Sequence, residues 1–293
     1  MKSCFLHNSW LAAMIMLLMG GAPASAQAQS ARPGTADAQA SLVPADAEIR
    51  KMIVERIDTH KQGVGIVVGV IEPMGRRVIS YGKLAKDDAR PLNGRTMFEI
   101  GSVTKVFTSL LLADMVQRGE VALTDPVTKY LPEGVKVPQR EGKSITLLDL
   151  STQTSGLPRM PDNFAPTDPS NPYADYSPEQ LFQFLSTWKL TRDIGSKYEY
   201  SNLGVGLLGQ ALARRAGMDF ENLVRTRIAA PLGMNSTGIT LTEEQKVRLA
   251  VGHDAKLAPV ANWDIPTLAG AGALRSDVDD MLTFLSATLG YTK

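Results

Sequence analysis

Cysteine and histidine are scarce in this chain: among 293 residues there is one cysteine, Cys4, and three histidines. Cys4 precedes an apolar run instead of following it, so it is badly placed for lipid attachment. Loss of the segment carrying it leaves no disulfide and no cysteine-ligated metal. His7, His60 and His253 stand far apart at no metal-binding spacing, which argues against a histidine–carboxylate zinc site. No metal and no cofactor is expected, and acid–base chemistry falls to groups other than a histidine pair. An excess of one charge is also missing. With 31 basic and 30 acidic side chains the net charge is +1, so there is no electrostatic reason to expect nucleic acid as a partner. A small molecule or peptide fits better as substrate. A bilayer-length hydrophobic run is lacking too, because Trp10 to Met19 (WLAAMIMLLM) falls short of the ~20 residues that span a membrane.

What is present at the start reads as an export signal. Lys2 gives a positive beginning, the apolar run follows, and Ala24-Ser25-Ala26 has the small-x-small pattern read by signal peptidase. Residues 1–26 are expected to be removed, giving a periplasmic or secreted protein with no stable membrane span. Residues 27–45, rich in Ala, Ser, Gln and Pro, read as a mobile leader. The folded domain is expected over 46–293; the whole chain, 44% hydrophobic and 21% charged, can bury one large core or two modest ones.

Ile49, Met52, Ile53 and Ile57 fall at helical spacing and predict one apolar stripe on a first helix. Gly65 to Ile71 (GIVVGVI) reads as a strand buried on both faces, joined by a turn at Glu72 to Arg76 to a second strand, Arg77 to Tyr81. Val103, Val106, Phe107, Leu110 and Leu111 trace the apolar face of a helix that opens at Ser102 and ends by Gly119. Residues 155–177 carry five prolines and read as an irregular excursion. Helices follow over Pro178 to Thr187 and Leu203 to Ala216, the second closed by Gly217.

A serine three residues before a lysine on a helix puts both side chains on one face, where the amine can take the hydroxyl proton. The pattern occurs at Ser80–Lys83, Ser102–Lys105 and Ser186–Lys189. The first runs off a strand, where this spacing does not align side chains; the third falls at a helix end, where a solvated lysine is the ordinary explanation. Ser102 follows Gly101 and opens the most hydrophobic helix beyond the signal. The positive helix end there favours an oxyanion, and apolar surroundings depress a lysine pKa. The competing reading is that Ser102 only caps the helix. Tyr200-Ser201-Asn202 precedes the helix at Leu203. A phenol beside an ammonium group gives up its proton more readily, which suits Tyr200 to proton relay, and the Asn202 amide can hold a substrate carbonyl or Lys105. The competing reading is a plain helix start, with Ser201 or Asn202 as cap and Tyr200 as packing.

Taken together, Phe98 to Lys105 (FEIGSVTK), Leu147 to Pro158 (LLDLSTQTSGLP), Tyr198 to Asn202 (YEYSN), Pro231 to Met234 (PLGM) and Gly270 to Ser276 (GAGALRS) resemble the serine β-lactamase and DD-peptidase superfamily. Within it they resemble the class C β-lactamase-related serine hydrolases, in the family's order and over about residues 46 to 290. The resemblance implies an α/β (α+β) fold, a sheet domain packed on an all-helical domain with the site between them. It implies that Ser102 forms an acyl-enzyme, that Lys105 and Tyr200 share the proton work, and that Asn202 orients substrate. It also implies β-lactams, D-alanyl peptides or related esters and amides as substrates.

One departure stands out. The family's third motif, Lys-Thr-Gly or His-Thr-Gly on an edge strand, is absent, and no Lys-Thr-Gly, Lys-Ser-Gly or His-x-Gly occurs in the sequence. The resemblance therefore implies that later sheet strands are missing and the domain is incomplete at its C-terminus. It leaves open a second reading, a non-catalytic or slowly acylated penicillin-binding-like protein, and a third, an inactive fragment of such an enzyme. On the fragment reading an exposed GIVVGVI edge invites aggregation or dimerisation.

Overall fold

Helix α1 runs from Asp46 to Val54 and continues as a π-helical turn to Thr59. Ile49, Ile53 and Ile57 are buried, but Met52 is 42% exposed, so the stripe is narrower than the periodicity predicts. The structure, a computed structural model, describes residues 43–291. The expected signal, residues 1–26, and the leader as far as residue 42 lie outside the described residues. From Pro44 onward the sheet and the helices cluster as a single unit. Among the described residues no helix is long and apolar enough to cross a membrane.

Strands β1 (Gly65–Glu72) and β2 (Gly75–Ala85) pair antiparallel with Glu72 opposite Gly75, so the turn is tighter and β2 longer than the sequence predicts. A short β3 (Asp88–Pro91) completes a sheet of order β1-β2-β3. The expectation that β1 is buried on both faces is not met: only Val70 is fully buried and its neighbours are half-buried. The two helices on this sheet touch different strands, α1 against β2 and the helix Val278–Thr288 against β1, so neither strand is enclosed along its length. Ser80 lies in β2, where its hydroxyl donates to Leu92 O at 2.7 Å, and Lys83 is exposed.

Strand β4 (Met97–Glu99) pairs antiparallel with the strand Arg275–Asp277. It leads through a 3₁₀ turn, Gly101–Val103, into α2 (Thr104–Gln117). Gly101 takes φ of +49° at the corner, a left-handed conformation costly for a residue with a Cβ. The face of α2 differs from the expectation. Phe107 and Leu111 are buried as predicted, but Val103, Val106 and Leu110 are exposed and the buried face carries Thr104, Lys105 and Thr108 instead. Apolar residues occur all round this helix, so periodicity alone does not fix which side turns inward.

Short α3 (Leu147–Ser151) and α5 (Asn202–Ala216) pack against α2, and α4 (Pro178–Thr187) adds side chains to the same core. Helix α4 starts on a reciprocal cap: Ser177 Oγ accepts from Gln180 N–H at 3.3 Å and Gln180 Oε1 accepts from Ser177 N–H at 2.8 Å. Near its end Ser186 donates to Phe182 O at 2.8 Å, and Lys189 is solvated beyond it. Phe107, Leu111, Leu150, Phe184, Leu203 and Leu207 fill the shared core. Phe107 also stacks on Phe284 with ring centroids 4.5 Å apart.

A close backbone approach joins α5 to the short helix Ala269–Gly272. A Cβ on Gly270 would lie 3.0 Å from Gly209 Cα, 3.0 Å from Val205 O and 3.2 Å from Thr108 Oγ1. Gly270→Val therefore forces the helices apart and is expected to destabilise the protein by about 1–3 kcal/mol, read from urea or thermal unfolding. An unchanged midpoint would show that this contact yields without cost.

Candidate active site

The beginnings of α2 and α5 and the Ala269–Gly272 helix converge on Ser102. Its hydroxyl does not cap α2, since no side-chain cap bond forms there; it lies 2.5 Å from Tyr200 Oη. Lys105 Nζ donates to Ala271 O at 2.6 Å, to Asn202 Oδ1 at 2.9 Å and to Ser102 Oγ at 3.1 Å. The four sequence-predicted residues, Ser102, Lys105, Tyr200 and Asn202, thus form one hydrogen-bonded cluster, and the serines at 80 and 186 are elsewhere.

The arrangement around Lys105 has a chemical consequence. A neutral amine has two hydrogens and one lone pair, and two of its three neighbours, the Ala271 and Asn202 carbonyl oxygens, can only accept. Both hydrogens go to them, so the lone pair of neutral Lys105 points at Ser102 Oγ. Burial, and next the charge of Arg159, push the Lys105 pKa down to about 8; the side chain is 9% exposed. Its three hydrogen-bond partners are all uncharged. The lysine also lies over the Tyr200 ring, 4.7 Å from the centroid, and Arg159 over the same ring at 4.9 Å.

Ser201, between Tyr200 and Asn202, caps α5, as the reading of that segment as a helix start expects. Ser201 Oγ accepts from Gly204 N–H at 2.8 Å, capping α5, and donates to Pro158 O at 2.6 Å. Ser201 N–H donates to buried Gln153 Oε1 at 2.7 Å. Asn202 N–H donates to Arg159 O at 3.1 Å. Cap and site are therefore the same three residues, with Ser201 freeing its neighbours on either side to face Lys105 and Ser102. Sequence reasoning missed Gln153, Arg159, Tyr173 and Ala271. Gln153 and Arg159 lie in or beside the matched Leu147–Pro158 stretch, where they were a findable signal. Ala271 acts through its backbone and leaves none in its side chain.

A cleft of about 750 Å³ opens beside Ser102 and Asn202, walled by Tyr173, Val260, Trp263 and Ile265. Tyr173 and Trp263 are in contact, centroids 5.4 Å apart. Beside them Asn171 Nδ2 donates to Asp264 Oδ2 at 3.0 Å while Asp264 N–H donates to Asn171 Oδ1 at 2.8 Å, tying the proline-rich excursion to the opposite wall. Glu99 also lines the cleft, but its Oε1 accepts from Trp263 N–H at 2.8 Å and faces Arg275 Nη2 at 3.4 Å.

Comparison with known proteins is decisive about kinship. The Beta-lactamase family model matches residues 49–292. The chain belongs to the beta-lactamase family. Among its relatives is the D-alanyl-D-alanine-carboxypeptidase/endopeptidase AmpH of Escherichia coli (strain K12), 35% identical over 83% of this chain and 63% of that protein. A beta-lactamase of the same strain is 32% identical over 71% of this chain and 52% of its own length. The chain thus spans less than two thirds of these relatives. Among solved structures, a beta-lactamase/D-alanine carboxypeptidase from Yersinia pestis superposes with a TM-score of 0.70 at 31% identity, covering 82% of this chain and 67% of that one. A class C beta-lactamase from Rhodobacter sphaeroides gives 0.69 at 30% identity, covering 85% and 66%. The fold is that of the β-lactamases and DD-peptidases, mixed α/β as the family's motifs imply.

Proposed function

We propose that this protein is an exported serine hydrolase that acylates Ser102, with β-lactams, D-alanyl peptides or related esters and amides as acyl donors. The observation that carries this is the Lys105 amine, whose hydrogens are taken by Ala271 O and Asn202 Oδ1 so that its lone pair faces Ser102 Oγ. Lys105 takes the hydroxyl proton as Oγ bonds to the carbonyl carbon, and the carbonyl electrons move onto oxygen as an oxyanion. The Ser102 backbone N–H, at the head of α2, serves as one donor to it. When the oxyanion collapses, the C–N or C–O bond breaks and the leaving group takes a proton from the Tyr200 hydroxyl, which Lys105 replenishes. Water then attacks the ester carbon and gives its proton to the same pair; as this second oxyanion collapses the C–Oγ bond breaks, the pair returns that proton to Ser102 Oγ, and the acyl group leaves as the acid. Asn202 anchors Lys105 and presents its amide nitrogen to the substrate carbonyl.

The test is intact mass after incubation with benzylpenicillin, which is expected to add one penicilloyl group per chain. Adduct formation has a signed pH dependence. The base must be neutral, the neutral fraction rises through the Lys105 pKa of about 8, and so the rate is expected to climb with pH and level above that value. A rate flat from pH 6 to 10 would remove Lys105 as the base, and no adduct at any pH would remove the function. An adduct that forms and persists would point instead to a slowly acylated binding protein.

A further inference from the structure

Two cations lie over one ring in this site, and among the described residues no carboxylate pairs with either of them. Lys105 spends its three bonds on a hydroxyl and two carbonyls. Arg159 is exposed and lies over the Tyr200 ring; among the described residues its guanidinium has no hydrogen-bond or ion-pair partner. Arg275, by contrast, lies behind the cleft wall, buried and flanked by Glu99 and Asp264, each at 3.4 Å. The Arg159 charge is felt inside the site, since it helps hold down the Lys105 pKa and opposes the upward push of burial on Tyr173. A guanidinium lying on a ring keeps its N–H edge free, and that planar fork matches a carboxylate.

We propose that Arg159 is a specificity-determining residue that binds a carboxylate carried by the leaving group of the substrate. The proposal rests on the reading of Ser102 as the acylated residue. The side of the nucleophile follows from Tyr200: it is the group that hands its proton to the leaving group, and Arg159 is stacked on it. The uncharged acyl portion takes the other direction. There the cleft is walled by Tyr173, Val260, Trp263 and Ile265, and the Arg275 cation near it is already paired with Glu99 and Asp264. Arg159 is not among the residues lining that cleft, so the two halves of the substrate are sorted by charge. The substrate class is an apolar acyl group joined through an ester or amide to a carboxylate-bearing leaving group.

The test uses two esters of one N-acylglycine, the m-carboxyphenyl ester and its neutral m-carbamoylphenyl counterpart, with acylation of the full chain followed by phenol release and intact mass. The native protein is expected to prefer the carboxylated ester in kcat/KM. That preference is expected to shrink by about tenfold or more in Arg159→Gln, the scale of one charge-assisted hydrogen-bonded pair. Arg159→Lys is expected to keep part of it, and Lys143→Gln, on an exposed strand of the hairpin over residues 139–144, all of it. Added salt is expected to reduce it in the native protein. A native preference at or below unity, or one unchanged in Arg159→Gln, overturns the proposal and leaves Ser102 as the nucleophile. If neither ester acylates Ser102, the reading of Ser102 falls and this inference with it.

Discussion

Ser102→Ala is expected to abolish covalent labelling by a fluorescent penicillin or an activated phosphonate, and to lower any hydrolysis by a factor on the order of a million, the scale found when a nucleophilic serine is removed. The substitution deletes one oxygen from a position that caps no helix, so unfolding is expected to stay close to that of the native protein. Lys105→Ala is expected to lose most of the labelling as well, because the hydroxyl is a poor nucleophile without a base at its side. That variant is less clean. It leaves Ala271 O and Asn202 Oδ1 without the donor they share, at about 1–3 kcal/mol for each buried acceptor left unpaired, so its stability is to be measured alongside. Comparing the two separates loss of the reacting atom from loss of the scaffold. Peptide mapping that finds the label on Ser80 or Ser186 would overturn the assignment, since both hydroxyls are engaged with backbone carbonyls away from the cluster.

The legibility of the site in the sequence was uneven, for physical reasons. Ser102 and Lys105 are readable because one helical turn brings i and i+3 together, and local geometry decides their contact. Tyr200 and Asn202 can be given roles from their chemistry, but only the order of the motifs lifts those roles above a plain helix start, because Asn202 reaches Lys105 across 97 residues. The π-turn after α1, the inward face of α2 and the half-burial of β1 were not legible. Each depends on which neighbour covers which side: Thr104 and Thr108 turn inward because Leu274 N–H and Gly270 O need partners there, an arrangement that no local pattern encodes. Arg159 illustrates the converse. As sequence it is one more surface cation, and only the Tyr200 ring beneath it gives it a place in the chemistry.

Tyr200→Phe is expected to lower turnover by about a hundredfold or more, the scale of losing a general acid or base, while leaving the fold nearly unchanged. The change removes only the oxygen that lies 2.5 Å from Ser102 Oγ. The ring that Lys105 and Arg159 overlie is retained, as is the Ser201 cap that starts α5. Ser102 Oγ keeps its contact with Lys105, so no polar atom is stranded and the stability change is expected to be within about 1.5 kcal/mol, one hydrogen bond. The effect is expected to grow as the leaving group becomes more basic. An alkoxide or amide anion must be protonated as it departs, whereas a nitrophenolate leaves unaided, so the loss is to be compared for a nitrophenyl ester and an alkyl ester of the same acid. A large defect on the alkyl ester with a small one on the nitrophenyl ester places Tyr200 at proton delivery to the leaving group. An equal defect on both moves its role to activation of Ser102. Unchanged turnover on both would return Tyr200 to packing beneath Arg159.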